Sequence, residues 1–104
     1  MRPRVRWSLR AVQRAAAIAL EMAEADPAAA ERWVRGLFYA VRLLGRFPRR
    51  GRVVPELSRP EVRELIYRDH RVVYRVSERL VEILTVRHAR RLLDVGEGEP
   101  NGRR

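Results

Sequence analysis

"HRVVYRVSERLVEILTVRHAR", residues His70–Arg90, decides the fold. Two runs rich in Val, Ile, Leu and Tyr flank the short polar link Ser77-Glu78-Arg79, and such a link between β-forming runs forces an antiparallel hairpin. Working back, "VRELIYR" (Val62 to Arg68) has the same character and is joined to the first run by Arg68-Asp69. The spacing therefore predicts a three-stranded meander over Val62–Arg68, His70–Ser77 and Leu80–His88. Alternation places Val72, Tyr74 and Val76 on one face, with Arg71, Val73 and Arg75 on the other. On the last strand it sets Val81, Ile83, Thr85 and Arg87 against Glu82, Leu84, Val86 and His88. Neither face is purely polar. A face that keeps apolar side chains beside arginines suits partner binding, whereas a central strand buried on both sides gives the same mixed pattern.

Ahead of the meander the period is helical. Val5 to Trp7 alternate with arginine as a short N-terminal strand, and Ser8 then stands at an N-cap position before "LRAVQRAAAIALEMAEA". Asp26-Pro27 closes this helix and opens the next, with Asp26 as N-cap and proline at the first helical position. The second helix carries the stripe Ala30, Trp33, Val34, Leu37, Phe38, Val41 and Leu44, and Gly45 and Pro48 mark its end. Trp33, Phe38 and Tyr39 fit either a core or a partner contact. "FPRRGRVVPELSRP" is the one long irregular segment. These elements predict an α+β fold: an N-terminal strand and a helical hairpin packed on one face of a small twisted antiparallel β-sheet. A single domain over residues 1–94 is expected, with Leu92 and Leu93 as a docking segment and residues 95–104 as a disordered tail.

Composition narrows the chemistry. The 104 residues contain no cysteine, which removes disulfides, thiolate metal sites and thiol nucleophiles. Two histidines without an acidic cluster make a poor metal site, so neither a metal nor another cofactor is expected. The apolar stretch around Ala15 to Leu20 is too short for a membrane span, and "MRPRVRWS" lacks a following apolar region, so a cytoplasmic location is expected. Net charge is +10, and all 23 basic residues are arginine. Arginine grips carboxylate and phosphate bidentately, so an acidic partner is expected, either nucleic acid or protein.

The candidate binding surface comprises Arg49, Arg50, Arg52, Arg71, Arg75, Arg87, His88, Arg90 and Arg91. His88 among arginines can serve as a general acid or base for RNA cleavage; a strand-end histidine more often has a structural role. Glu56, Glu61 and Glu64 interleave with arginines and read as surface ion pairs rather than an acid–base pair.

"GRVVPEL" (Gly51 to Leu57), "VRELIYRDHRVVYRV" (Val62 to Val76) and "VEILTVRHARRLL" (Val81 to Leu93), with "RVRWSLRAV" and "FPRRGR" before them, resemble the RelE/ParE superfamily of bacterial type II toxin–antitoxin modules. The resemblance covers about Val5 to Leu93 and implies a helical hairpin on a twisted sheet. The RelE branch cleaves messenger RNA on the ribosome. Against its pattern, Arg71 matches a family arginine and Arg63 falls at a basic position, but Leu65 and Ala89 stand where basic residues belong. No tyrosine lies near Val95, and the histidine–tyrosine ending of YoeB-like ribonucleases is absent.

"ELIYRDHRVVYRV" and the ending around His88 look closer to the ParE (plasmid stabilisation) branch, which poisons DNA gyrase. That resemblance implies a non-enzymatic inhibitor of growth whose partners are gyrase and an acidic antitoxin, with any oligomer formed through the toxin–antitoxin complex. The alternatives are a ribosome-dependent endoribonuclease using Arg63, Arg71, Arg87 and His88, and a basic nucleic-acid-binding domain without toxic action.

Overall fold

The computed structural model describes residues 2–90, so the expectations for Arg91, for Leu92 and Leu93 and for the tail lie outside the described residues. In chain order the elements are β1 (Arg4–Trp7), α1 (Leu9–Ala25), α2 (Pro27–Leu43), β2 (Arg52–Val53), β3 (Val62–Tyr67), β4 (His70–Val76) and β5 (Leu80–His88). The sheet order is β1-β5-β4-β3-β2. The meander forms as its spacing predicts, with β4 antiparallel to both neighbours. β1 joins the outer side of β5 in parallel, Arg4 opposite Leu80 and Trp7 opposite Ile83, so the sheet is mixed. The connection permits this: two helices and three strands intervene, which is long enough for a parallel pair, where a tight turn would enforce an antiparallel one. The two-residue β2 is too short to leave a periodicity signal.

Capping sets the helix starts. Ser8 Oγ accepts from the Ala11 N–H at 3.1 Å, and Asp26 Oδ1 accepts from the Ala29 N–H at 3.1 Å, with Pro27 opening α2. Each cap stabilises its helix by about 1 kcal/mol. Ser8 has a second task. Its N–H donates to the Ile83 carbonyl and its hydroxyl donates to the Leu84 carbonyl at 3.0 Å, which ties the β1–α1 corner to the middle of β5.

The anchor point on β5 is a bulge. Val73 pairs with Thr85 and Tyr74 pairs with Ile83, which leaves Leu84 as the extra residue. A bulge shifts the side-chain alternation by one position. The strict alternation expected for β5 therefore breaks in the middle. Val81, Ile83 and Val86 all join the helix-side core, while Leu84 packs on the far face. Both faces of the sheet carry apolar clusters. Ala11, Trp33, Leu37, Val41 and Leu44 pack on Val72, Tyr74, Val81, Ile83 and Val86 beneath the helices. On the far face Val54, Val62, Val73 and Leu84 form a second cluster, with Leu57 folded over it. Burying each of these Val, Leu and Ile side chains stabilises the fold by roughly 1.5–3 kcal/mol. β4 and β5 are thus covered on both sides, which answers their mixed pattern.

Candidate binding surface

Arg71, the family-matched arginine, lies in the far face and is only 4% exposed. Its Nη1 and Nη2 donate to the two oxygens of Glu56 at 2.8 and 2.9 Å, and its Nε donates to Glu64 Oε1 at 2.6 Å. Glu64, itself buried, receives Arg52 Nε on its other oxygen at 2.6 Å. Two carboxylates and two guanidinia thus form a continuous, charge-balanced chain. Hydrogen bonding to Glu56 lifts the Arg71 guanidinium further above its ordinary value, opposed in part by burial, with Glu64 adding to the rise. Of the glutamates expected to form surface ion pairs, Glu56 and Glu64 do pair with arginine, but Glu64 does so in the interior. Nearby, Arg6 Nη2 bonds buried Glu82 at 2.9 Å. Glu82 also faces Arg75 across the sheet, and Arg87 faces Arg71.

Arg63 belongs to the opposite face. Its register partner is Tyr74, which lies in the helix-side core, and its Nη1 donates to the carbonyl oxygens of Gly51 at 2.8 Å and Arg49 at 3.5 Å. The Gly51 N–H in turn donates to Tyr74 Oη at 2.8 Å. Burial raises the Tyr74 hydroxyl above its ordinary value, against the hydrogen bond from Gly51 and the nearby arginines, so it stays protonated. Arg63 therefore braces the turn between α2 and β2. That turn presents exposed Arg49 and Arg50 beside Phe47 and Pro48, which line an open hollow.

His88 is exposed at the end of β5. It pairs across the sheet with His70, their ring centroids 5.6 Å apart, and its Nδ1 accepts from the Arg90 N–H at 3.2 Å. The fold does not gather Arg63, Arg71 and His88 around one point. Arg71 and Arg87 occupy the far face, Arg63 and His88 the helix side, and Arg71 is already saturated by carboxylates. Among the described residues there is also no group of three or more histidines and acids placed to hold a metal ion.

A surface that the sequence did not isolate lies on the helical hairpin. Trp7, Val12, Ala15, Ala19, Val34 and Phe38 line an apolar groove of about 380 Å³ between α1 and α2. The structure separates the three aromatic residues of α2: Trp33 is 2% exposed in the core, whereas Phe38 and Tyr39 are more than half exposed. The signal was the small-residue run of α1, since alanine in place of larger side chains leaves a furrow between two helices. No helix among the described residues is long and apolar enough to cross a membrane.

A helical hairpin on an open mixed sheet, with a saturated arginine cluster on one side and an apolar groove on the other, defines a small two-layer α+β protein. Residues 5–93 match the family model described as the ParE toxin of the type II toxin–antitoxin system, parDE, and the chain belongs to that family. It is 42% identical over 90 residues to "Putative toxin Y4kP" of Sinorhizobium fredii, covering 85% of this chain and 90% of that protein. Its fold is similar to a chain of the "Chromosomal ParDE TA system from P. aeruginosa", with a TM-score of 0.70 and 22% identity, covering 83% of this chain and 95% of the other.

Proposed function

We propose that this ParE-family toxin arrests growth by binding and poisoning DNA gyrase, without cleaving a substrate itself, and that a cognate acidic antitoxin neutralises it in the cytoplasm. The observation that supports binding over cleavage is the state of Arg71. A ribonuclease needs cationic and proton-transferring groups converging on one phosphate. Here Glu56 and Glu64 hold the donors of Arg71, and Arg63 and His88 face the other way.

The excess positive charge resides on residues such as Arg49, Arg50 and Arg90, which are exposed around the sheet and the turns. Such a field speeds capture of acidic surfaces. The apolar groove between the helices suits the hydrophobic stripe of an amphipathic antitoxin segment. The similar fold in the chromosomal ParDE TA system from P. aeruginosa is in keeping with such a partner.

The test is inducible expression in a bacterial host, beside a His88→Ala variant, a change at an exposed side chain that leaves the buried Arg71 network intact. Growth, plasmid supercoiling and the 5′ ends of messenger RNA are followed together. Growth arrest with loss of supercoiling and intact messages is the expected result. Arrest with new codon-phased cuts that vanish in the variant would overturn the gyrase reading in favour of ribosome-dependent RNA cleavage.

A further inference from the structure

At the end of the molecule remote from the Arg49–Arg50 turn, the β3–β4 hairpin tip meets the first turns of α2 and the last part of α1. Met22, Ala29, Arg32, Trp33, Arg68, Asp69 and His70 enclose a hollow of about 190 Å³ there. Four of these residues, Arg32, Trp33, Arg68 and His70, bring polar nitrogen groups to it. The Trp33 indole N–H is buried without a hydrogen-bond partner, although the residue is only 2% exposed. His70 Nδ1 is likewise buried and unpartnered. The two rings pack edge to face, centroids 5.3 Å apart, so both are held in place. Arg32 and Arg68 line the same hollow, and neither has a carboxylate partner among the described residues.

Arg68 is also positioned by its backbone. It takes φ of +54° at the hairpin tip, a left-handed conformation that a non-glycine residue adopts at some cost. Its guanidinium lies over the Tyr67 ring, 5.5 Å from the centroid. A buried indole N–H without an acceptor is costly, and such orphans call for a missing partner. Two guanidinia beside it select an anion, and a pair of positive charges matches a phosphate dianion better than a singly charged carboxylate. The one acidic residue lining the hollow is Asp69.

We propose that this hollow is a binding site for a phosphate monoester or inorganic phosphate, gripped by Arg32 and Arg68 and contacted from the floor by Trp33 and His70. The site is separate from the far-face arginines and does not depend on the gyrase reading. Binding is linked to protonation of His70, whose own charge is disfavoured by burial and by His88, against the attraction of Asp69. The charged groups around His70 are Arg32 from α2, Arg68 and Asp69 from the hairpin tip and His88 from β5. An anion between them favours imidazolium, so affinity rises as pH falls through the range where His70 titrates.

The experiment is an NMR titration of the full chain with inorganic phosphate at constant ionic strength, reading the Trp33 indole proton and the His70 ring. Acetate serves as the comparison anion, and an Arg32→Gln, Arg68→Gln variant as the control. Saturable shifts of both signals with phosphate are expected, together with a rise in the His70 pKa on binding. The response should be at least tenfold weaker for acetate or in the variant, a difference of about 1.4 kcal/mol. A 5′-phosphorylated dinucleotide that produces the same shifts supports a phosphate carried on a nucleic-acid end; response to the free ion alone supports a small-molecule ligand. No shift, equal shifts with acetate, or shifts that persist in a variant with an unchanged melting temperature would overturn the site.

Discussion

Arg71 Nε lies 2.6 Å from Glu64 Oε1, with the two side chains 5% and 0% exposed. This contact joins adjacent strands inside the far face, and Glu56 reaches the same guanidinium from the loop after β2. A charge taken out of water is tolerated only while its partners remain. Arg71→Ala should therefore destabilise the fold by about 3–5 kcal/mol, because it takes one of its two cations from buried Glu64 and leaves only Arg52. Urea unfolding measures this loss. Arg71→Lys should recover only part of it, since an ammonium cannot reproduce the fork toward Glu56.

Gly51 sits where a side chain has no room. A methyl group there would run into the Glu64 carbonyl oxygen and meet Tyr74 Oη at 2.7 Å. Gly51→Ala should cost roughly 1–3 kcal/mol through overpacking of this turn. Tyr74→Phe should cost about 1–3 kcal/mol by a different route, leaving the buried Gly51 N–H without its acceptor. Thermal melts of both variants check the pair, and the double variant should lose less than the sum because both act on one contact.

His70 gives the stability a pH dependence. Its pKa is lowered in the folded protein, by burial first and then by His88, so the unfolded chain binds its proton more readily. This contribution is complete above the unfolded value of about 6.5 and is lost as pH falls from there through the folded pKa. The melting temperature should drop across that window on acidification. His70→Gln should flatten the drop, as seen by calorimetry at a series of pH values.

Arg49 and Arg50 stand exposed on the turn after α2, braced from below by Arg63. Reversing both, Arg49→Glu and Arg50→Glu, should change stability by no more than about 0.5 kcal/mol, as surface substitutions generally do. Growth arrest in the induced host should nevertheless weaken, because target capture depends on the field these residues project. A loss of arrest with an unchanged melting curve distinguishes this from misfolding.

The expected bounds of β5, Leu80–His88, coincide with those observed, and Ser8 and Asp26 cap the two helices at the expected positions. These features are local: a run of β-formers, or a serine or aspartate before a helical stripe, carries its own signal. Three others depended on distant contacts. The bulge at Leu84 has no glycine to announce it and is anchored through Ser8, far away in sequence. The parallel pairing of β1 depends on the path of the whole chain. At the candidate surface, Arg71 was visible as a residue, but its saturation was not. Spacing alone places Glu56 and Glu64 beside solvent-exposed arginines, and only the folded register brings Glu64 into the interior with Arg71. The apolar furrow between the helices was written only as an excess of alanine.

The parallel pairing of β1 with β5 also sets a schedule for synthesis. The corner at Ser8 is fastened to Leu84, 76 positions later. As the chain leaves the ribosome from its N-terminus, β1 has no strand to pair with until β5 follows. Helices α1 and α2 can form early from their own caps and stripes, but their apolar underside waits for β4 and β5 to cover it. Contacts this distant in sequence form slowly. The nascent toxin is thus unfinished, with β1 unpaired, until β5 has been made.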